Sequence, residues 1–254
     1  MMDTMPWNYW MADGEPKPLT TEVFARLERV LQRAPNHPGA NHFYIHAVEQ
    51  EHPERGVQAA DNLRRVVPGA GHLVHMPSLI YIRVGRYHDG SLANERAIEA
   101  DDDYVTQCRA QGIYPVAYVP HNHHFLWATT TMEGRSTDSI AAARRTAEHV
   151  HHGLIRDPQM AMLQHFASIP YYALVRFGHW QEILEEPAPE ADLLYPTAVW
   201  HYARGVAYVR QGKLGNAQQE LGEVRAIASN PALQEVRIWG LNPASSLAQI
   251  AASV

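Results

Sequence analysis

Sixteen histidines in 254 residues exceed what a helical scaffold needs, and their spacing points to chemistry more than their number does. His42, His46 and Glu49 follow one another at intervals of four and three, which sets them along one stripe of a helix. His72 with His75, and His121 with His124, are pairs three residues apart and so share a helix face. Neutral imidazole is the commonest metal ligand among side chains and suits Zn, Cu, Fe and Ni. One histidine on an apolar face is usually a core or surface residue bonded to a carbonyl. Repetition separates the present pattern from that plainer reading.

The repetition is seen against the turns. Four apolar, helix-like segments each end in a glycine followed by a bulky or polar pair: Gly85-Arg86-Tyr87, Gly134-Arg135-Ser136, Gly178-His179-Trp180 and Gly212-Lys213-Leu214. Glycine accepts the left-handed conformation that closes a helix, so each marks an inter-helix turn. A fifth turn falls near Gln50 to Pro53, where proline can open a helix. His72 and His75 lie thirteen and ten residues before Gly85, His121 and His124 stand in the same relation to Gly134, and His165 lies thirteen before Gly178. Three successive helices thus carry histidine at one level. With His42, His46 and Glu49 these make eight candidate donors, more than the four of a tetrahedral zinc site, so a pair of ions, or one ion with outer partners, fits better. Histidine with one carboxylate and no thiolate leans toward iron or copper over structural zinc.

The elements that must position these residues are helical hairpins. The helices that follow each turn are amphipathic, with Val57, Ala60, Leu63 and Val67 in one and Leu214, Ala217, Leu221 and Val224 in another. Glu51 to Gly85 and Gly178 to Gly212 are both 34 residues, the tetratricopeptide period, whereas the two middle intervals are 49 and 44. An insertion is expected at about 101–119, where an Asp triplet, Gly112 and Pro115 interrupt the period. Pro77 and Pro170 both stand eight residues before a turn glycine, where proline either starts a helix or kinks one. The pattern predicts an all-α fold, a right-handed α-α superhelix of tetratricopeptide-type hairpins, running as one array over 1–254. Thr20 to Ala34 reads as a second helix without its first, leaving Val23, Phe24 and Leu27 uncovered, and Pro243 to Val254 as a first helix without its second. The expectation is an internal segment of a longer array.

The strings His37-Pro-Gly-Ala-Asn-His-Phe-Tyr-Ile-His-Ala-Val-Glu49, Gly71-His-Leu-Val-His-Met-Pro-Ser78 and Pro120-His-Asn-His-His-Phe-Leu126 resemble a bacterial subfamily of tetratricopeptide repeat proteins. The resemblance implies the repeat fold and supplies no biochemical role. Related sequences tend to carry a further histidine where this chain has Leu79.

Composition narrows the function classes. With 46% apolar and 19% charged residues the chain is an ordinary globular one, and its net charge of −6 argues against a nucleic-acid surface built on Lys and Arg. Nowhere do about 18 apolar residues run together, so no membrane span is expected and a soluble, cytoplasmic protein is. Cys108 stands alone, which excludes an internal disulfide or a thiolate cluster. The Asp101 to Asp103 triplet reads as a solvated helix end.

Two functions follow. In the first, a concave groove binds a transition metal (Fe, Cu or Zn) through His42, His46, Glu49, His72, His75, His121, His124 and His165, in a metal-dependent oxidoreductase or hydrolase acting on a small-molecule substrate. In the second, a non-enzymatic scaffold lays a protein or peptide ligand in the groove, the usual work of such arrays. Histidine is an odd choice for a peptide carboxylate clamp, for which Lys or Arg would serve.

Overall fold

The computed structural model describes residues 9–108 and 114–253, which are mostly helical. They form two compact units, Met1–Glu133 and Gly134–Val254, divided at one of the turn glycines.

The first unit holds α1 (Thr20–Arg33), α2 (Pro38–Val48), α3 (Val57–Leu63), α4 (Gly71–His75), α5 (Pro77–Arg83), α6 (Tyr87–Cys108) and α7 (Val119–Glu133). A 3-10 turn over Pro53–Gly56 occupies the fifth expected turn. The core is apolar and centred on Ile45, Leu63, Met76, Ile80 and Tyr81. Helix α1 is not left uncovered as the sequence predicts. Val23 and Phe24 are buried, Phe24 under Trp10, whose ring lies 5.5 Å from its own and whose indole N–H donates to the Ala47 carbonyl at 3.0 Å, while Val30 stays exposed.

The second unit holds α8 (Ser136–Glu148), α9 (Met162–Phe177), α10 (Trp180–Glu185), α11 (Leu194–Arg210), α12 (Leu214–Ala228), α13 (Pro231–Glu235) and α14 (Ala244–Ala251). Its strands, β1 (Arg237–Ile238) and β2 (Asn242–Pro243), pair antiparallel in one short hairpin. Helix α11 is the centre of the unit and packs on α9, α10, α12 and α14, with Ala198, Ala203 and Ala207 permitting close approach. Among the described residues no helix is long and apolar enough to cross a membrane.

All four turn glycines have positive φ, between 74° and 79°. At three of them the next residue's N–H reaches back to the carbonyl four residues before the glycine: Arg86 to Tyr81 at 2.8 Å, His179 to Leu174 at 3.0 Å and Lys213 to Tyr208 at 2.9 Å. This is the bond of a Schellman cap, which satisfies a terminal carbonyl and requires the left-handed residue.

The expected insertion and the two prolines of one register take the following forms. The segment expected as an insertion is largely ordered helix: α6 runs on through Asp101 to Cys108 and a π-helical turn, Tyr114–Tyr118, leads into α7, with 109–113 outside the described residues. The two prolines in one register also act differently. Pro77 lacks the N–H that would continue α4, so a break at Met76 separates α4 from α5, while Pro170 sits inside α9 without ending it.

Helix α4 is held by a close fit. A Cβ at Gly71 would lie 1.8 Å from the buried Oδ1 of Asp101 in α6 and 3.0 Å from the Ala97 carbonyl. Gly71→Ala should therefore cost about 1–3 kcal/mol of stability, the usual range for overpacking. Gly69→Ala, with no atom within 4 Å of the added carbon, is the control. Equal urea midpoints for the two variants would contradict the fit.

Candidate metal centre

Helix α2 begins at Pro38, whose missing N–H is no loss at a helix start, and His37 caps it by accepting from the Ala40 N–H at 3.2 Å. Ile45, Ala47 and Val48 are fully buried on its core side. That burial fixes the rotation of the helix and sends His42 and His46, one turn apart, along another face. Their rings lie 4.9 Å apart.

Helix α4 brings His72 to them. The Nε2 atoms of His42 and His72 are 3.2 Å apart, and one ligand nitrogen from each of His42, His46 and His72 lies within 4.8 Å of the others. These three nearby histidines could hold a metal ion. All three are half-buried. Glu49, counted as a ligand by the sequence, takes a different place. Its Oε1 is 3.0 Å from His46 Nδ1, and its Oε2 is 3.5 Å from the Arg83 guanidinium. A carboxylate on the rear nitrogen fixes the tautomer and leaves Nε2 of His46 with its lone pair outward, as in carboxylate–histidine–metal arrangements. Arg83 is a participant that the histidine register gave no reason to notice.

His75 sits on α4 with His72 yet meets a different neighbour. It is fully buried, and its Nε2 is 3.1 Å from Nε2 of His121 on α7. Its Nδ1 is 2.7 Å from Oδ1 of Asn94 and 3.2 Å from the Ser78 hydroxyl. The Asn94 amide is oriented by donating from Nδ2 to the Gly90 carbonyl at 2.8 Å, so its oxygen accepts from the imidazole N–H. Phe125 closes over both rings, with centroids 4.8 Å from each. His124, the expected partner of His121, stacks on Trp127 at 5.3 Å. His165 belongs to the second unit, where its Nδ1 lies 3.1 Å from the Tyr195 hydroxyl, which in turn is 3.1 Å from that of Tyr172. Leu79 lies in the apolar core among Ile45, Met76 and Ile80.

These imidazoles are held neutral. Burial, with His46 and His72 alongside, lowers His42 to about 3; burial and then His46 lower His72 to about 4. Burial, reinforced by His124, His72 and His46, lowers His121 to about 3, and burial followed by His121 holds His75 well below its ordinary value. Burial alone brings His165 to about 4. A neutral ring is the ligating form, so near pH 7 protons do not compete for these lone pairs.

Comparison with protein-family models, with curated proteins and with solved structures finds no match to this chain.

The depressed histidines set a sign for stability. The unfolded chain binds protons as pH falls through about 6.5, and the folded chain binds them only near 3–4, so the unfolded state gains over that window. Stability of the metal-free protein is complete above about pH 6.5 and is lost progressively below it. Carboxylates with ordinary values near ~4 titrate little between pH 7 and 5, so a fall in urea midpoint over that interval, measured with chelator present, reports the imidazoles. A flat midpoint would mean that they are not buried as neutral rings.

Proposed function

We propose that this protein is a tetratricopeptide-type helical repeat protein whose first unit binds one transition-metal ion through His42, His46 and His72. The observation that carries the metal reading is the convergence of three imidazole nitrogens within 4.8 Å, contributed by α2 and by α4 some 30 residues further along the chain. The repeat reading is supported by the helices joined through left-handed glycines and by the two 34-residue intervals. Three neutral nitrogen ligands leave at least one coordination position for water or a substrate atom, the arrangement that catalytic zinc sites keep and structural ones close. An ion there would act as a Lewis acid or generate a hydroxide nucleophile, which favours a metal-dependent hydrolase or oxidoreductase over a scaffold. His46 would be held to the ion by Glu49 from behind, and Glu49 by Arg83.

Elemental analysis of protein purified without chelator or immobilised metal tests the reading, with near-stoichiometric Zn, Cu or Fe expected. Restoring the metal to chelator-treated protein should raise the melting temperature. At 100 times its dissociation constant a ligand contributes about 2.7 kcal/mol, roughly 5–10 °C for a chain of this size. His42→Ala or His72→Ala should reduce the rise, while Glu49→Gln should weaken binding about 10–100-fold. His149→Ala, at a half-buried ring bonded to the Arg145 carbonyl, should leave it intact. No metal in the purified protein and no thermal shift with any of the three ions would leave a peptide-binding scaffold as the better account.

A further inference from the structure

We propose that α4 serves two ions and that His75 with His121 forms a second transition-metal site beside the first. The inference rests on the reading of His42, His46 and His72 as a metal centre and extends it to the other histidine of the same short helix. Two nitrogens bound to one tetrahedral ion at about 2.0–2.1 Å stand roughly 3.3 Å apart. The His75 and His121 Nε2 atoms are 3.1 Å apart, within a few tenths of that spacing and almost the same as the 3.2 Å between His42 and His72.

The tautomer of His75 is set for ligation. Asn94 presents its carbonyl oxygen to Nδ1 at 2.7 Å, which places the ring proton there and leaves the Nε2 lone pair directed at His121. Asn94 thereby does for His75 what Glu49 does for His46. Phe125 shields both rings. His75 and His121 are not among the three residues whose ligand nitrogens converge within 4.8 Å, and their own Nε2 atoms face each other. Two protein nitrogens leave two positions of a tetrahedral ion to solvent or to oxygen or nitrogen atoms of a substrate. The ions suited to this neutral donor set are zinc and copper, and magnesium and calcium are not.

Zinc content decides the matter. Chelator-treated protein is equilibrated with Zn(II) in a nitrilotriacetate buffer that holds the free ion too low for exposed histidines, and bound zinc is counted per chain. Two ions are expected for the wild type, one for His121→Asn and one for His42→Asn, and the ion retained in each variant reports that the fold has survived. One ion in the wild type, unaltered by His121→Asn and lost with His42→Asn, would overturn the second site and leave the first standing. No zinc in the wild type would overturn both. Loss of both ions in His121→Asn, with helical content preserved, would replace two sites by one shared centre. The wild-type count alone tests the proposal if a variant fails to fold.

Discussion

The carboxylate of Asp101 holds the first unit's histidine cluster together. It is buried in the middle of α6, with Oδ2 accepting from the Asn122 amide at 2.7 Å and Oδ1 filling the space where any residue but glycine at 71 would place a carbon. A carboxylate removed from water is costly unless hydrogen bonds replace its hydration, so the helices around Asp101 are constrained to supply them. Both anchor points adjoin histidines. Gly71 precedes His72 on α4, and Asn122 follows His121 on α7. One buried acid therefore sets the position of two of the helices from which the imidazoles project.

Around that anchor the imidazoles behave as a set of neutral bases. Burial raises the cost of any positive charge, and their mutual proximity raises it further, which is why His42, His72 and His121 are depressed to about 3–4. Charge is instead kept at the rear, on Glu49 and Arg83 behind His46. A cation entering such a cluster would meet lone pairs and no competing protons.

The turns were legible in the sequence because a left-handed residue leaves a chemical mark: only glycine takes it freely, and Gly85, Gly134, Gly178 and Gly212 all do. The histidine register was legible as a level along the helices, but it carried no information about direction. His72 and His75 were expected to share one helix face. Each meets a different helix, His72 the one that carries His42 and His75 the one that carries His121, because α2 and α7 both pack beside the short α4. His165 obeys the register and still belongs to another unit, where a tyrosine meets it. Asp101 was hidden in a triplet that reads as solvent-facing; Asp102 and Asp103 are exposed as expected, and burial of the first acid depends on Gly71 and Asn122, contacts across 30 and 21 residues that no local pattern encodes. Asn94 and Arg83 escaped notice for the same reason, since an outer partner is defined by what it touches.

His72 differs from the rings around it in what lies behind it. His46 and His75 are braced at Nδ1 by Glu49 and Asn94, whereas Nδ1 of His72 is buried and has no hydrogen-bond partner among the described residues. Its polar contact among the described residues is on the other side, where Nε2 meets His42 Nε2 at 3.2 Å, the contact that a metal ion would replace. With His46 fixed by Glu49, the ring that lacks a partner at Nδ1 is the one that can swing aside, so the rates at which an ion enters and leaves would be governed at His72. The cluster would then exchange its metal through one movable side chain on a rigid frame.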